Sequence, residues 1–276
     1  VGCAMARKKD KTKEVVYVSA GEGTTSQGDF HEALNWASNA KAPVIFHIQD
    51  NEYAISTHKS EQTADSVYNM TAGYKNLSRY DVDGTDFFET NLAFSQAIER
   101  ARKGKGPSII ISNVVRLLPH SSSDDQRKYR TEKALNEDKK RDPLKILEDQ
   151  CIKAKFISAS EFKKIRDKAI KQVDEDAEWA DSQEHPNPST ALDHIYSNDE
   201  IIDEPSYNII SDKIVIVDAI NHALNEEMAR NDKMIIYGQD IADPKGGVFT
   251  ATKGLSNSFG NERVFNSPLA ESSIIG

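Results

Sequence analysis

The chain has 276 residues, 38% of them hydrophobic, and a formal net charge of −9. That length allows one large core or two modest ones, and the acidic balance lacks the basic footprint of a nucleic-acid binder. No apolar run approaches the roughly 20 residues of a membrane helix, no signal peptide opens the sequence, and Cys3 and Cys151 have neither metal nor disulfide spacing, which fits a reducing cytoplasm.

Taken in order, Val1-Gly2-Cys3-Ala4-Met5-Ala6 reads as the middle of a helix, so the chain reads as an internal piece of a longer protein. Val15-Val16-Tyr17-Val18 reads as a buried strand running into Gly21-Glu22-Gly23. Residues 29–40 have helical spacing, with Phe30, Leu34 and Ala37 on one face and Asp29 and Glu32 spaced as a capping box. Val44-Ile45-Phe46-His47-Ile48 is a second buried strand, followed by Asp50-Asn51-Glu52-Tyr53. Strand, helix and strand of this length make a βαβ unit with parallel strands. Both post-strand loops then lie on one sheet edge, where open α/β sheets take ligands. A Gly-acid-Gly turn alone is more often a tight turn than a ligand site. With the second loop, a carboxylate and a carboxamide face one small volume, a donor set for Mg²⁺ carrying phosphate oxygens and water. The reading is a metal-diphosphate site.

Tyr80-Asp81-Val82 is a short strand, residues 91–103 a helix, and 108–115 a strand opened by Pro107. Segment 14–115 therefore alternates strand and helix as a parallel sheet covered on both faces. Segment 119–141 is polar and reads as a solvated loop, and 144–179 as an exposed helical pair. Pro186, Pro188 and Pro205 mark 182–212 as a linker. A second α/β unit follows: Asp218 capping a helix over 219–230, strand 234–237, a Gly246-Gly247 loop, helix 251–259 and strand Val264-Phe265. His47 suits a satisfied core role, and His31, His58, His185 and His194 form no zinc-ligand spacing.

The run GEGTTSQGDFHEALNWASNAKAPVIFHIQDNEYAISTHKSEQ resembles the cofactor motif of thiamine-diphosphate-dependent 2-oxo acid dehydrogenases, most closely the branched-chain (2-oxoisovalerate) type. The resemblance implies a thiamine-diphosphate-binding α/β fold, a parallel sheet flanked by helices. It also implies Mg²⁺ on the Glu22 carboxylate, Asn51 and the Tyr53 carbonyl, with Gly21 and Gly23 in the cofactor turn. Glu22 stands where most of the family has Asp, and together with Ile-Ser-Thr-x-x-Ser-Glu-Gln it resembles branched-chain members. Asp50 departs from the family's first Asn, and Gln49 replaces an arginine that relatives bring to the diphosphate. The run IIYGQDIADPKGGVFTATKGL, followed by RVFNSPLAESSIIG, is similar to the start of the family's second subunit. A fused first component is thus implied, with an alpha-type domain over 1–181, the linker 182–212 and a truncated beta-type domain over 213–276.

In that family a Pro-x-x-Glu acid activates the cofactor's aminopyrimidine, which carries over to Glu271 in Pro268-Leu269-Ala270-Glu271. In Arg116-Leu117-Leu118-Pro119-His120-Ser121-Ser122-Ser123-Asp124-Asp125, His120 matches a histidine of acyl transfer to lipoamide. Arg116 there matches a position near the diphosphate, and Ser121 a position that some relatives phosphorylate. The bland readings stay beside these: a helix-start glutamate, a solvent-facing histidine and a surface arginine. The implied reaction is decarboxylation of a 2-oxo acid with acylation of a lipoyl domain on the acyltransferase component. The implied assembly is a homodimer, in the cytoplasm or, in a eukaryote, the mitochondrial matrix. Pyruvate or acetoin dehydrogenase, a transketolase-like enzyme and an inactive scaffold are the alternatives, and a scaffold would need none of Glu22, Asn51, His120 or Glu271.

Overall fold

The computed structural model describes residues 1–195 and 213–276. In chain order the elements are α1 (Gly2–Lys9), β1 (Val16–Gly21), α2 (Gly28–Ala40), β2 (Val44–Asp50), β3 (Tyr53–Ala54), β4 (Thr57–His58), α3 (Val67–Met70), β5 (Ser78–Asp83), α4 (Phe87–Arg102) and β6 (Ser108–Asn113). Then come α5 (Glu132–Lys140), α6 (Pro143–Lys153), α7 (Ala159–Asp181), α8 (Ile216–Arg230), β7 (Ile236–Gly238), α9 (Leu255–Phe259), β8 (Val264–Asn266) and α10 (Glu271–Ile275). One compact unit holds residues 1–149 and 216–276, a second residues 150–215. The expected linker over 182–212 lies partly outside the described residues.

The main sheet is parallel throughout, in the order β1-β2-β6-β5. Alternation along β2 divides its side chains between two faces. Val44, Phe46 and Ile48 join Phe30, Leu34 and Ala37 of α2, while Ile45 joins Ala93 and Ala97 of α4. Central strands covered on both sides need such continuous apolar runs. β1 departs from the expected buried strand: it forms the sheet's edge, and Tyr17 and Val18 are exposed. β7 and β8 pair in parallel beside a small core of Met228, Leu255 and Val264. No helix among the described residues is long and apolar enough to cross a membrane.

Several helix starts differ from expectation: α4 begins at Phe87 rather than 91, and α9 only at Leu255 rather than 251. α2 begins at Gly28 with Gln27 as its N-cap, because a 3₁₀ turn over Glu22–Ser26 leads straight into it. Asp29 therefore sits inside the first turn, and no capping box forms. α8 likewise starts at Ile216, before Asp218. Segment 119–141 is not all loop, since Thr131 caps α5 by accepting the Ala134 N–H. In the second unit α7 carries a Ser158/Glu161 capping box and buries no residue, as an exposed helix should.

His47 occupies the core role expected of it. Its Nδ1 lies 2.8 Å from the Tyr17 hydroxyl and its Nε2 2.9 Å from Ser112 Oγ. Burial pushes its pKa below the ordinary value. As pH falls below about 6.5 the unfolded chain gains a proton that folded His47 resists, so stability is lost on the acid side. Thermal unfolding from pH 7 to pH 5 should cost the wild type more than His47→Gln. Parallel pH profiles for the two proteins would count against this assignment.

Candidate active site

The carboxyl ends of β1, β2 and β6 meet at one edge of the sheet, with Gly21 in register with Gln49 and Asp50 with Asn113. Strand order reverses between β2 and β6, the place where open α/β sheets form a crevice. Glu22 opens the turn after β1 and is buried, at 3% exposure. Its Oε2 accepts the Asn51 N–H at 3.3 Å, and Asn51 Oδ1 accepts the Tyr53 N–H at 3.3 Å. The three expected metal ligands are thus drawn together by the fold.

Gly23 lets the turn approach β3. A Cβ there would lie 2.8 Å from Ala54 Cβ, closer than real contacts allow, whereas one on Gly21 meets open space. Lys59 pairs with Asp50 at 3.3 Å and Glu52 at 3.1 Å. Burial pulls the Lys59 pKa down, but these two carboxylates more than offset it, leaving it above the ordinary value. This pairing explains how an aspartate is tolerated at position 50. Among the described residues no Lys or Arg pairs with Glu22. A buried carboxylate without a cation is costly, so its surroundings suit a bound one. Among the described residues no three His, Cys, Asp or Glu side chains cluster to hold a metal. The available set is one carboxylate, one carboxamide and one peptide carbonyl, hard oxygens that match Mg²⁺ with open positions for phosphate.

Arg116 follows β6 and turns onto the same loop. One guanidinium nitrogen donates to the Ile55 carbonyl at 2.7 Å, the other to the Tyr129 hydroxyl at 2.7 Å. The group lies over the Tyr53 ring, 5.4 Å from its centre, and Arg130 lies 5.1 Å from the same centre. Arg116 Nε is buried with no hydrogen-bond partner. The Tyr129 hydroxyl donates in turn to Asp124 Oδ2 at 2.6 Å, and the same oxygen accepts the His120 N–H at 3.0 Å. The hydrogen bond from Tyr129 holds the Asp124 carboxyl below its ordinary pKa. His120 is exposed, tied to the loop after β2 through Asp124, Tyr129 and Arg116.

Glu271 opens α10 and is exposed, touching none of these groups. Gln239 Nε2 donates to its Oε1 at 3.1 Å and holds its pKa below the ordinary value. Lys59, Tyr129, Arg130 and Gln239 carry no sequence signal of these roles. They reach the site through tertiary contact alone.

Comparison with known proteins matches residues 1–189 to a family model described as dehydrogenase E1 component. Residues 212–276 match the transketolase pyrimidine binding domain. A 2-oxoisovalerate dehydrogenase subunit alpha from Bacillus subtilis is 36% identical over 198 residues, 71% of this chain and 60% of that protein. A pyruvate dehydrogenase E1 component subunit alpha from Acholeplasma laidlawii is 35% identical over 63% of this chain and 51% of that protein. Its Bacillus subtilis counterpart is 40% identical over 52% and 39%. The chain thus spans between about two fifths and three fifths of these relatives' lengths.

Proposed function

The chain belongs to the dehydrogenase E1 component family, and we propose that it provides the cofactor-binding part of a thiamine-diphosphate-dependent 2-oxo acid dehydrogenase acting on branched-chain substrates. The observation that carries this reading is the buried Glu22 carboxylate, unpaired with any Lys or Arg among the described residues and bonded to the Asn51 backbone. Thiamine diphosphate, when bound, supplies the carbon nucleophile and the electron sink for decarboxylation. The chain supplies the rest. Glu22, Asn51 and the Tyr53 carbonyl would hold Mg²⁺, which concentrates positive charge for a diphosphate in an acidic protein. Arg116, with one N–H unpartnered, adds a fixed cation beside that loop. Glu271 would carry a proton for the pyrimidine nitrogen, and His120, on an exposed loop, would serve acyl transfer to a lipoyl domain.

The substrate reading rests on the Ile-Ser-Thr-x-x-Ser-Glu-Gln stretch and on the 2-oxoisovalerate relative. A pyruvate-specific enzyme is the second reading, favoured by relatives named for that substrate. Decarboxylation of 3-methyl-2-oxobutanoate and of pyruvate by the full protein, with Mg²⁺ and thiamine diphosphate, decides between them. Turnover of neither, without cofactor binding, overturns the function. In the same assay His120→Ala should keep decarboxylation with an artificial electron acceptor while losing about 10²-fold or more in transfer to a lipoyl domain. Equal loss in both would make His120 a residue of cofactor binding or loop order.

A further inference from the structure

Asn51 and Tyr53, two of the three proposed Mg²⁺ donors, are separated by one residue, Glu52, whose φ of 70° lies in the left-handed region. A residue other than glycine keeps that conformation only when its surroundings hold it there. The N–H, the carbonyl and the carboxylate of Glu52 all go to Asp50 or Lys59. Its N–H donates to Asp50 Oδ1 at 2.9 Å, its carbonyl accepts the Lys59 N–H at 2.8 Å, and its carboxylate pairs with Lys59 Nζ at 3.1 Å. The same Nζ reaches Asp50 Oδ2 at 3.3 Å, since an ammonium has donors enough for both carboxylates. The Asp50 carbonyl accepts the Val114 N–H at 2.9 Å, which ties the start of this turn to the chain leaving β6.

The two ion pairs of Lys59 are unequal. The Asp50 side chain is 9% exposed and that of Glu52 55%. An exposed pair contributes little, whereas a nearly buried carboxylate deprived of its cation must give up its charge, reach for water or move. Asp50 is therefore the partner through which Lys59 acts. Its charge also bears on what the loop can hold. Glu22, Asp50 and Glu52 put three carboxylates at the ends of β1 and β2, where the proposed ligand is itself an anion.

We propose that Lys59 is a positioning residue of this loop: by pairing with Asp50 it keeps Glu52 in its left-handed turn, holds Asn51 and the Tyr53 carbonyl in mutual register, and cancels a charge that would repel a diphosphate. What the loop binds rests on the thiamine-diphosphate reading, but the fastening of the turn does not. Lys59 touches neither metal nor cofactor in this arrangement.

Lys59→Met and Asp50→Asn, singly and together in the full protein, test it. Asparagine at position 50 keeps an oxygen for the Glu52 N–H and needs no cation. Calorimetric titration with thiamine diphosphate and Mg²⁺ should find Lys59→Met at least about tenfold weaker than wild type. In the Asp50→Asn background the same substitution should cost less than about threefold. A lysine that only stabilises the loop would cost the same in both backgrounds, and that result overturns the proposal, as does wild-type affinity in Lys59→Met. Amide exchange without cofactor reads the turn itself. Lys59→Met should speed exchange at Glu52 at least about tenfold, and adding Asp50→Asn should restore most of the protection. Unchanged exchange in Lys59→Met overturns the fastening. Should Lys59→Met fail to fold, a folded double variant upholds the pairing and an unfolded one overturns it. If the wild type binds no thiamine diphosphate while the exchange results hold, the proposed function falls and the fastening by Lys59 stands.

Discussion

Glu22→Ala should weaken thiamine-diphosphate binding by at least about 100-fold and abolish its dependence on Mg²⁺. Losing a residue that only orients a metal ligand typically costs about 10–100-fold in metal affinity, and a direct ligand should reach or exceed the upper end. Asn51→Ala should follow in the same direction, because its side-chain oxygen would be the second donor of the proposed set. A separate sign distinguishes this from a folding defect. Glu22 is buried without a Lys or Arg partner among the described residues, so its carboxyl group is not held by an ion pair of the protein's own. Removing that side chain should leave the metal-free melting temperature little changed, while the stabilisation on adding Mg²⁺ and cofactor disappears. Calorimetric titration at two Mg²⁺ concentrations reads the first effect and thermal unfolding the second. Wild-type affinity in Glu22→Ala would sink the metal assignment.

Glu271→Gln is expected to bind the cofactor almost normally and to exchange the thiazolium proton about 10²–10⁴-fold more slowly, the usual size of a general acid–base contribution. The carboxamide keeps the shape and can still accept from Gln239, which holds Glu271 Oε1 at 3.1 Å. It cannot take up and release the proton. In the free protein Gln239 favours the ionised carboxylate, so any proton held there must be stabilised by what covers the exposed Glu271. Proton exchange followed by NMR in the full protein separates this from binding. Normal exchange and turnover in folded Glu271→Gln would leave the residue as a helix-start glutamate.

Much of this was legible in residue order because the central βαβ unit is locally consistent. The apolar run of β2 could only be a strand covered on both faces, and its spacing from Gly21-Glu22-Gly23 put two loops on one edge. β1 read as buried for the same reason, since an apolar run says nothing about whether a neighbouring strand lies beyond it. The Asp29/Glu32 pattern misled because the spacing of a capping box was present while a 3₁₀ turn upstream moved the helix start. Thr131 before Glu132 was a readable helix signal inside a segment dominated by charge. Lys59, Tyr129, Arg130 and Gln239 were invisible for a different cause: their roles depend on side chains meeting across folded loops, and no periodicity records that.

Tyr53 divides its duties between two audiences. What it would offer an ion is a peptide oxygen that any residue could supply, but its ring lies against the guanidinium groups of both Arg116 and Arg130. At position 53 the arginines therefore use the aromatic ring, whereas a bound metal would use only the backbone. The same contact links loop order at Asp124 and His120 to the ring's presence through Tyr129. A phenylalanine there keeps the contact, and an aliphatic side chain surrenders it with every nominal ligand still in place.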